Sequence, residues 1–459
     1  MTATALELHA LFCEALHISP TEPPTMGEGG SLDSIFAVSD LAQASIGAAG
    51  SAMAALQSEG GRAPSVFVDR DLANGWCMYS IRPQGWELPS PWDAVSGDYV
   101  CEDGWIRLHA NAPRHRQAIL AVLDVSGDRD EVAAAVRTWA GEDLESAVVG
   151  AHGAAAAMRS LDEWRRHPQG RAVAGEAVIA MTRTTTATPD ERAAAGSERP
   201  LEGVRVLDLT RVLAGPVATR LLAGWGADVL RVDPPEWDEP AVVPEVTLGK
   251  RCARLDLRSE RGRDVVLELL ATADVLVHGY RPGALERLGL GDDDLAQVRP
   301  GLVDVSLDAY GWTGPWRGRR GFDSLVQMSS GIADAQRVAT GAAAPVPLPV
   351  QALDHATGYL LAASVLAGLG LRRRESVGSQ WRLSLARTAQ VLVETGRDDR
   401  PGDATGRSLV IPEAPDAIEH TTWGEARRLA PPLQVEGAAL RWALAARPLG
   451  TDEPAWLGR

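Results

Sequence analysis

The sequence predicts an α/β protein in which a doubly wound parallel sheet is joined to a smaller α+β domain. Three observations carry this. After residue 200, four short apolar runs alternate with helical stretches, the pattern of parallel strands linked by crossover helices. Between about 85 and 175, strand signals come first and helix signals follow, which is the order of an α+β unit. Between these regions lies MTRTTTATPDERAAAGSERP, about residues 181–200, rich in Thr, Ala, Pro and charge, which reads as an exposed linker. A length of 459 residues leaves room for about three domains.

Taken in order, ASIGAAGSAMAAL (44–56) predicts a helix of small residues and SVFVDRDL (65–72) a strand. GDYVCEDGWIRLHAN (97–111) predicts two strands joined at an Asp-Gly turn. RHRQAILAVLD and DEVAAAVRTWAGEDLESAVVGAHGAAAAM read as helices. Beyond the seam, VRVLDL (204–209) is the first buried strand. TRVLAGPVATRLLAGWG follows as a helix, with Pro216 suited to its first turn. ADVLRVD (227–233) is the second strand, SERGRDVVLELLATA (259–273) an amphipathic helix and DVLVH (274–278) the third strand. After a helical ALERLGL, GLVDVSL (301–307) is the fourth. RDDRPGDATGRS (397–408) opens a Pro-rich tail. The predicted division is 1–84, a helix and strand segment; 85–180, the small α+β domain; 181–200, the linker; 201–395, the sheet domain; and 396–459, a C-terminal segment.

Hydrophobic residues make up 45% and charged residues 23%, a globular composition. Lys plus Arg number 45 against 61 Asp plus Glu, a formal charge of −16, which argues against a nucleic-acid partner. A few local arginines can still hold phosphates on an acidic chain. Cys13, Cys77, Cys101 and Cys252 lie far apart without a CxxC, so zinc and disulfide frameworks are not indicated and a reducing compartment is. MTATALELHA lacks the pattern of a signal peptide, and LLAASVLAGLGL (360–371) is too short to span a bilayer. These features predict a cytoplasmic protein with no membrane partner.

A shift of 314 positions (354 minus 40) lays VSDLAQASIGAAGSAMAAL over ALDHATGYLLAASVLAGLG, with Asp40 on Asp354 and Ser65 on Ser379. Matches in Ala-rich helices come cheaply, so chance and true repetition both stand. The turn Thr210-Arg211-Val212-Leu213-Ala214-Gly215-Pro216 puts small residues and a helix N-terminus at a strand's carboxyl end, where anions bind; a tight packing turn has the same look. Lys250-Arg251, Arg258, Arg281 and Arg287 recur at that edge, as phosphate contacts or as solvated surface. Asp354 opens a helix, either as an N-cap or as a carboxylate nucleophile able to attack an acyl thioester. Fourteen tryptophans are scattered and fit packing. No HExxH, Walker loop or nucleophile elbow is present, so no metal or redox cofactor is implied.

The run LEGVRVLDLTRVLAGPVATRLLAGWGADVLRVDPP, then GKRCARLDLRSERGRDVVLELLATADVLVHGYRPGALERLGLG, VDVSLDAYGWTGPWRGRRGFDSLVQMSSG and VPLPVQALDHATGYLLAASVLAGL, occur in order over about 190 residues. Together they resemble the class III coenzyme A transferase family, the carnitine- and formyl-CoA-transferase-like enzymes, which also includes α-methylacyl-CoA racemases. The resemblance implies a Rossmann-like sheet domain. It also implies an acyl-CoA:carboxylate CoA-transferase that works through an aspartyl anhydride and an aspartyl-CoA thioester. It makes Asp354 the catalytic aspartate and maps CoA contacts onto Val212, Leu213, Ala214, Leu255, Arg258, Gly279, Tyr280, Arg281, Ala284 and Arg287. CoA is then a substrate, and acyl-CoA and a carboxylic acid acceptor are the partners.

Departures from the family pattern bear on the alternatives. Gly321-Phe322-Asp323 stands where the racemase branch has Gly-His-Asp, and phenylalanine cannot exchange a proton, which disfavours a 2-methylacyl-CoA racemase or isomerase. Leu213 and Gly279 replace a common polar residue and an Asn, and a glycine-rich lid has no counterpart. The domain order is also changed: DGWIRLHANAPRHRQAILAVL and SLDEWRRHP resemble the family's small domain, yet precede the nucleotide-binding half. Residues 1–84 then resemble the second part of a large domain, with Asp40 a remnant or structural cap. The resemblance implies a homodimer; the altered order allows a heteromer with a related chain, in which this chain is a non-catalytic CoA-binding subunit.

Overall fold

Alternating apolar residues along the strands after residue 200 are sorted onto two faces of one twisted sheet. In a computed structural model, which describes residues 2–20, 22–58, 63–186, 198–396 and 407–457, Val206, Val229, Val275, Val277, Val303 and Val305 face one core. Leu207, Leu209, Leu230, Val232, Ala253 and Leu276 face the other. A sheet covered on both sides needs such two-sided strands. Its seven strands run in the order Arg251–Arg254, Asp228–Asp233, Arg205–Leu209, Val275–His278, Val303–Asp308, Val377–Ser384 and Ala180–Thr186. All pairings are parallel except the last, where Ala180–Thr186 runs antiparallel to Val377–Ser384. The chain builds outward from Arg205–Leu209 to one edge, then returns to add Val275–His278 on its other side. That reversal is a topological switch point, and open sheets of this kind bind ligands beyond the strands' carboxyl ends there.

Helices Ala214–Gly224 and Ala352–Glu375 cover one face, and helix Val38–Gln57 packs along Ala352–Glu375. Gly358 permits this closeness: a Cβ there would lie 2.5 Å from the Ala214 carbonyl oxygen and 3.0 Å from Val217. The Ala352–Glu375 helix extends well beyond the 360–371 run. At 24 residues it is long and apolar enough to cross a membrane by length and composition, and its apolar stretch is buried in protein, with only the last residues, Arg374 and Glu375, exposed.

Helix Val38–Gln57, strand Val66–Val68 and helix Arg70–Cys77 follow one another as do helix Ala352–Glu375, strand Val377–Ser384 and helix Leu385–Glu394. The two long helices begin 314 positions apart (352 minus 38), the offset found in the sequence. The predicted strand over 65–72 is thus only three residues long. Asp69 ends it by accepting the Leu72 N–H at 2.9 Å and starting the next helix.

The segment before the seam carries its own core of Val95, Tyr99, Ile106, Leu108, Ile119, Val132, Leu144 and Val148. Strands Gly97–Cys101 and Gly104–Leu108 form a hairpin whose turn residues are Glu102 and Asp103, one position before the expected Asp-Gly pair. Helices Pro113–Leu123, Arg129–Val136 and Gly141–Gly150 cover it. Ala155–Ala157 is a strand rather than the end of a helix. His152, at φ 66°, breaks the helical path, and pairing with Gly104–Leu108 overrides alanine's helix preference. Trp105, Met158 and Phe322 join this unit to the sheet domain.

Two expectations about connections need correction. The proposed linker at 181–200 begins as part of the edge strand Ala180–Thr186, where β-branched Thr182 and Thr184 suit a strand; 187–197 lies outside the described residues. The tail beyond 407 is not signal-poor coil throughout: Leu433–Val435 pairs with Val66–Val68 and Gly424–Arg428 with Ile81–Pro83. ALERLGL contributes a single 3-10 turn, Glu286–Leu288.

Candidate active site

The switch point opens into a cavity of about 390 Å³ at the ends of strands Arg205–Leu209, Val275–His278 and Val303–Asp308. Val212, Leu213, Ala214, Gly279, Tyr280, Arg281, Ala284, Arg287 and Asp354 all line it. Leu255 and Arg258 do not. Leu255 packs against the apolar cluster on the other side of the sheet. Arg258 is exposed and paired to Asp256 at 2.7 Å and Glu236 at 3.3 Å, so its charge is already engaged. Lys250 and Arg251, flagged by charge, are also structural. Lys250 is fully buried, 3.1 Å from Asp208 and 2.9 Å from the Pro216 carbonyl oxygen; Arg251 pairs with Asp228 at 2.8 Å.

The Lys250 network shapes the turn that forms the cavity floor. Asp208 accepts the Thr210 N–H at 2.9 Å and the Thr219 hydroxyl at 2.5 Å while it neutralises Lys250. Burial, only partly offset by Asp208, brings the Lys250 ammonium down to about 8. Above this network Val212 sits at φ 65°, a left-handed conformation that a β-branched residue adopts at a cost of about 1–3 kcal/mol. Its N–H donates to Glu239 Oε2 at 2.9 Å, and Glu239 is itself held by the Trp237 indole at 3.0 Å and by Arg231. Arg211 lies over the rings of Trp237 and Tyr280, 5.1 and 5.3 Å from their centroids.

Cations accumulate around this floor. Arg114 and His115 reach it from helix Pro113–Leu123 of the small domain, and Arg319 and Arg320 from the loop before Phe322. Arg319 is spoken for by Glu145 at 2.9 Å and by the Trp316 ring. The others crowd one another: burial, then the charges of Arg281 and Arg114, brings Arg320 down to about 10. Burial, then Arg211 and Arg281, lowers Arg114 as well. Guanidiniums that depress one another in a cleft await an anion.

Asp354 is 8% exposed and occupies the wall between this cavity and a second chamber. It is the third residue of helix Ala352–Glu375, not its N-cap. The first-turn N–H groups of Leu353 and Asp354 are taken instead by Asp323 Oδ2 at 2.9 and 3.0 Å. Among the described residues no donor reaches the Asp354 carboxylate. Burial, reinforced by the neighbouring Asp323 charge, raises it well above the usual carboxylate range. Burial also raises Asp323, to about 6, against the pull of the Asp354 N–H and of Gln327. Such a pair holds one proton between them near neutrality.

Asp40, at the equivalent place in the first repeat, is different. Arg70 closes on both its oxygens at 3.1 and 3.3 Å, and the Thr2 hydroxyl adds a third contact. Its carboxylate is a structural ion pair; only the second repeat presents an open one.

Sequence reasoning missed Arg114, His115, Arg211, Arg320 and Asp323 as site residues. The motif Gly321-Phe322-Asp323 was in view, but only its second residue was weighed. The arginine and histidine of RHRQAILAVLD were read only as helix.

Comparison with known proteins places the matching region over this site. The profile of CoA-transferase family III matches residues 201–397. Succinyl-CoA:glutarate CoA-transferase of Mus musculus is 38% identical over 195 residues, 40% of this chain and 44% of that protein. Formyl-CoA:oxalate CoA-transferase of Streptomyces coelicolor is 33% identical over 212 residues, 42% of this chain and 49% of that protein. A crystal structure of Rv3272 from M. tuberculosis shares 34% identity, covering 43% of this chain and 58% of its own, with a TM-score of 0.39. The chain spans about half the length of the curated relatives it matches.

Proposed function

We propose, from the match of residues 201–397 to CoA-transferase family III, that the chain moves CoA from an acyl-CoA to a free carboxylic acid, with Asp354 as the nucleophile. One observation carries the reading: a buried, unbonded carboxylate stands at the wall of a cavity whose uncompensated arginines suit a nucleotide polyphosphate. Arg211, Arg281, Arg287, Arg114 and Arg320 would engage the phosphates. The free N–H groups at the start of helix Ala214–Gly224 would add to the positive potential.

In this scheme an ionised Asp354 oxygen attacks the thioester carbonyl. The C–S bond breaks, CoA leaves as thiolate, and an acyl-aspartyl anhydride remains. The thiolate then attacks the aspartyl carbonyl, releasing the first acid as carboxylate and forming an aspartyl-CoA thioester. The acceptor carboxylate displaces CoA to form a second anhydride, and thiolate attack on its acyl carbon yields the new acyl-CoA and restores Asp354. Attack requires the deprotonated carboxylate. Its raised proton affinity therefore makes transfer increase with pH through the range where the Asp354–Asp323 pair loses its shared proton.

The test is direct. Wild-type protein incubated with acyl-CoA and then hydroxylamine should yield a hydroxamate at Asp354 by mass spectrometry, and Asp354→Ala should yield none while still binding CoA. Unchanged transfer by Asp354→Ala would sink the assignment.

A further inference from the structure

Asp354 is approached from two sides, and the second side has a chemistry of its own. The chamber opposite the arginine cavity has a volume of about 320 Å³. Among the described residues lining it there is no lysine or arginine. Trp92, Trp237 and Tyr79 supply flat apolar surface, joined by Phe322 stacked on His109 at 3.7 Å and 11°. Trp92 meets the His109 ring edge-on at 6.0 Å. Burial, helped by the charges of His115 and Arg107, brings His109 down to about 3, so its ring is neutral at any working pH. Arg107 stacks on Trp92 at 4.8 Å but is not part of the lining, and it is paired to Asp98 at 2.8 Å.

Besides Asp354, three acids of this chamber are bonded inward, and a fourth, the exposed Asp238, accepts the Glu239 N–H at 2.9 Å. Glu239 accepts from Val212, Trp237 and Arg231; Asp323 accepts the Leu353 and Asp354 N–H groups; Asp93 accepts the Val95 N–H at 2.9 Å. They leave little for a ligand cation to pair with. A ligand anion fares worse, because it would be desolvated beside carboxylates with no cation to meet it.

We propose that this chamber selects an uncharged acyl group, aromatic or branched and without a second carboxylate, on both the donor thioester and the acceptor acid. The inference rests on the CoA-transfer reading above and adds the substrate class. The arginine cavity takes the nucleotide end, common to every acyl-CoA, and the aromatic chamber takes the end that differs.

The experiment separates the two readings by measuring binding and turnover independently. In Asp354→Asn, which cannot form the anhydride, calorimetric titration compares CoA, phenylacetyl-CoA and succinyl-CoA. Phenylacetyl-CoA should bind at least 10-fold more tightly than CoA, and succinyl-CoA no more tightly than CoA. In the wild type, kcat/KM should favour phenylacetyl-CoA over succinyl-CoA by about 100-fold or more. Pro240→Arg, an exposed position lining the chamber, should narrow that ratio at least 10-fold by giving the second carboxylate a partner. Equal or better binding of succinyl-CoA, or tighter binding of a thioester with a cationic acyl group, overturns the chamber assignment even if transfer is robust. The expected binding order without turnover leaves the chamber assignment supported and defeats the transfer reading alone.

Discussion

Replacing Asp323 by asparagine isolates the electrostatics of the carboxylate pair. A carboxyl raised by burial from 3.8 to about 6 carries about 3 kcal/mol between its two protonation states, at about 1.4 kcal/mol per pH unit. The sign follows from linkage. With the folded value above the unfolded one, the native state holds the proton more tightly, so its contribution is complete below pH 3.8 and lost as pH rises through about 6. Asparagine has no such proton. It does bring a local conflict: with its oxygen on the Leu353 and Asp354 N–H groups, its amide nitrogen faces the Gln327 amide. Gln327 cannot simply turn over, because its oxygen accepts the Leu348 N–H at 2.7 Å. That offset, about 1 kcal/mol, is the same at every pH. Urea unfolding of both proteins at pH 4 and pH 8 removes it by double difference. The variant should gain about 2 kcal/mol on the wild type between the two, since at pH 4 the unfolded carboxyl is already partly ionised. Losing the Asp323 charge should also ease ionisation of Asp354 and move the acidic limb of kcat/KM down by about 1–2 pH units. A pH-independent stability difference together with an unmoved limb would refute the reasoning.

Three further outcomes follow from named contacts. Asp40→Ala strands the buried Arg70 guanidinium and should cost about 3–5 kcal/mol in urea unfolding, with kcat of the folded fraction unchanged. Arg281→Ala should raise KM for the acyl-CoA by about 10- to 100-fold with kcat little altered, and should weaken the dependence of KM on ionic strength. Lys250→Met leaves the buried Asp208 charge beneath the 210–214 turn without its ammonium partner, held only by Thr210 and Thr219, and should lower stability by about 3–5 kcal/mol. Lys250→Arg should not fully restore it, because a larger planar guanidinium must replace a compact ammonium at a fully buried position.

The sheet was legible where its physics is local. Strands buried on both faces read as apolar runs, and those at 204–209, 227–233, 274–278 and 301–307 lie within two residues of their structural limits. Arg251–Arg254 was invisible because its sequence, RCAR, is half charge. Arg251 is accommodated by Asp228, and Arg254 by carbonyl oxygens at Pro234, Pro235 and Trp237, partners no pattern announces. Ala155–Ala157 was hidden by composition, since alanine prefers helix until a neighbouring strand decides otherwise. At the site, motif order pointed to Asp354, Arg281 and Arg287, but charge alone could not tell a ligand-facing arginine from one already paired. Arg258 and Arg251 have carboxylates of their own, whereas Arg114 meets the cavity from a helix well over a hundred residues earlier in the chain. Direction and company are tertiary facts, and they divided these residues into cavity-facing and structural sets.

The packing of helix Val38–Gln57 on helix Ala352–Glu375, and of strand Val66–Val68 on Leu433–Val435, sets a timetable for biosynthesis. Loop closure over several hundred residues is cheap at equilibrium, since each doubling of length costs only about 0.6 kcal/mol. It is expensive in waiting time. The part of helix Val38–Gln57 that meets Ala352–Glu375 and Leu433–Val435 stays uncovered until residue 375 and then residue 435 have left the ribosome. The small domain, with its local hairpin and three helices, can close long before that. Helix Ala3–Ala15, strand Val66–Val68 and helix Arg70–Cys77 can pack on helix Val38–Gln57 early, but the face that meets Ala352–Glu375 passes through translation without its partner and is open to wrong association until then.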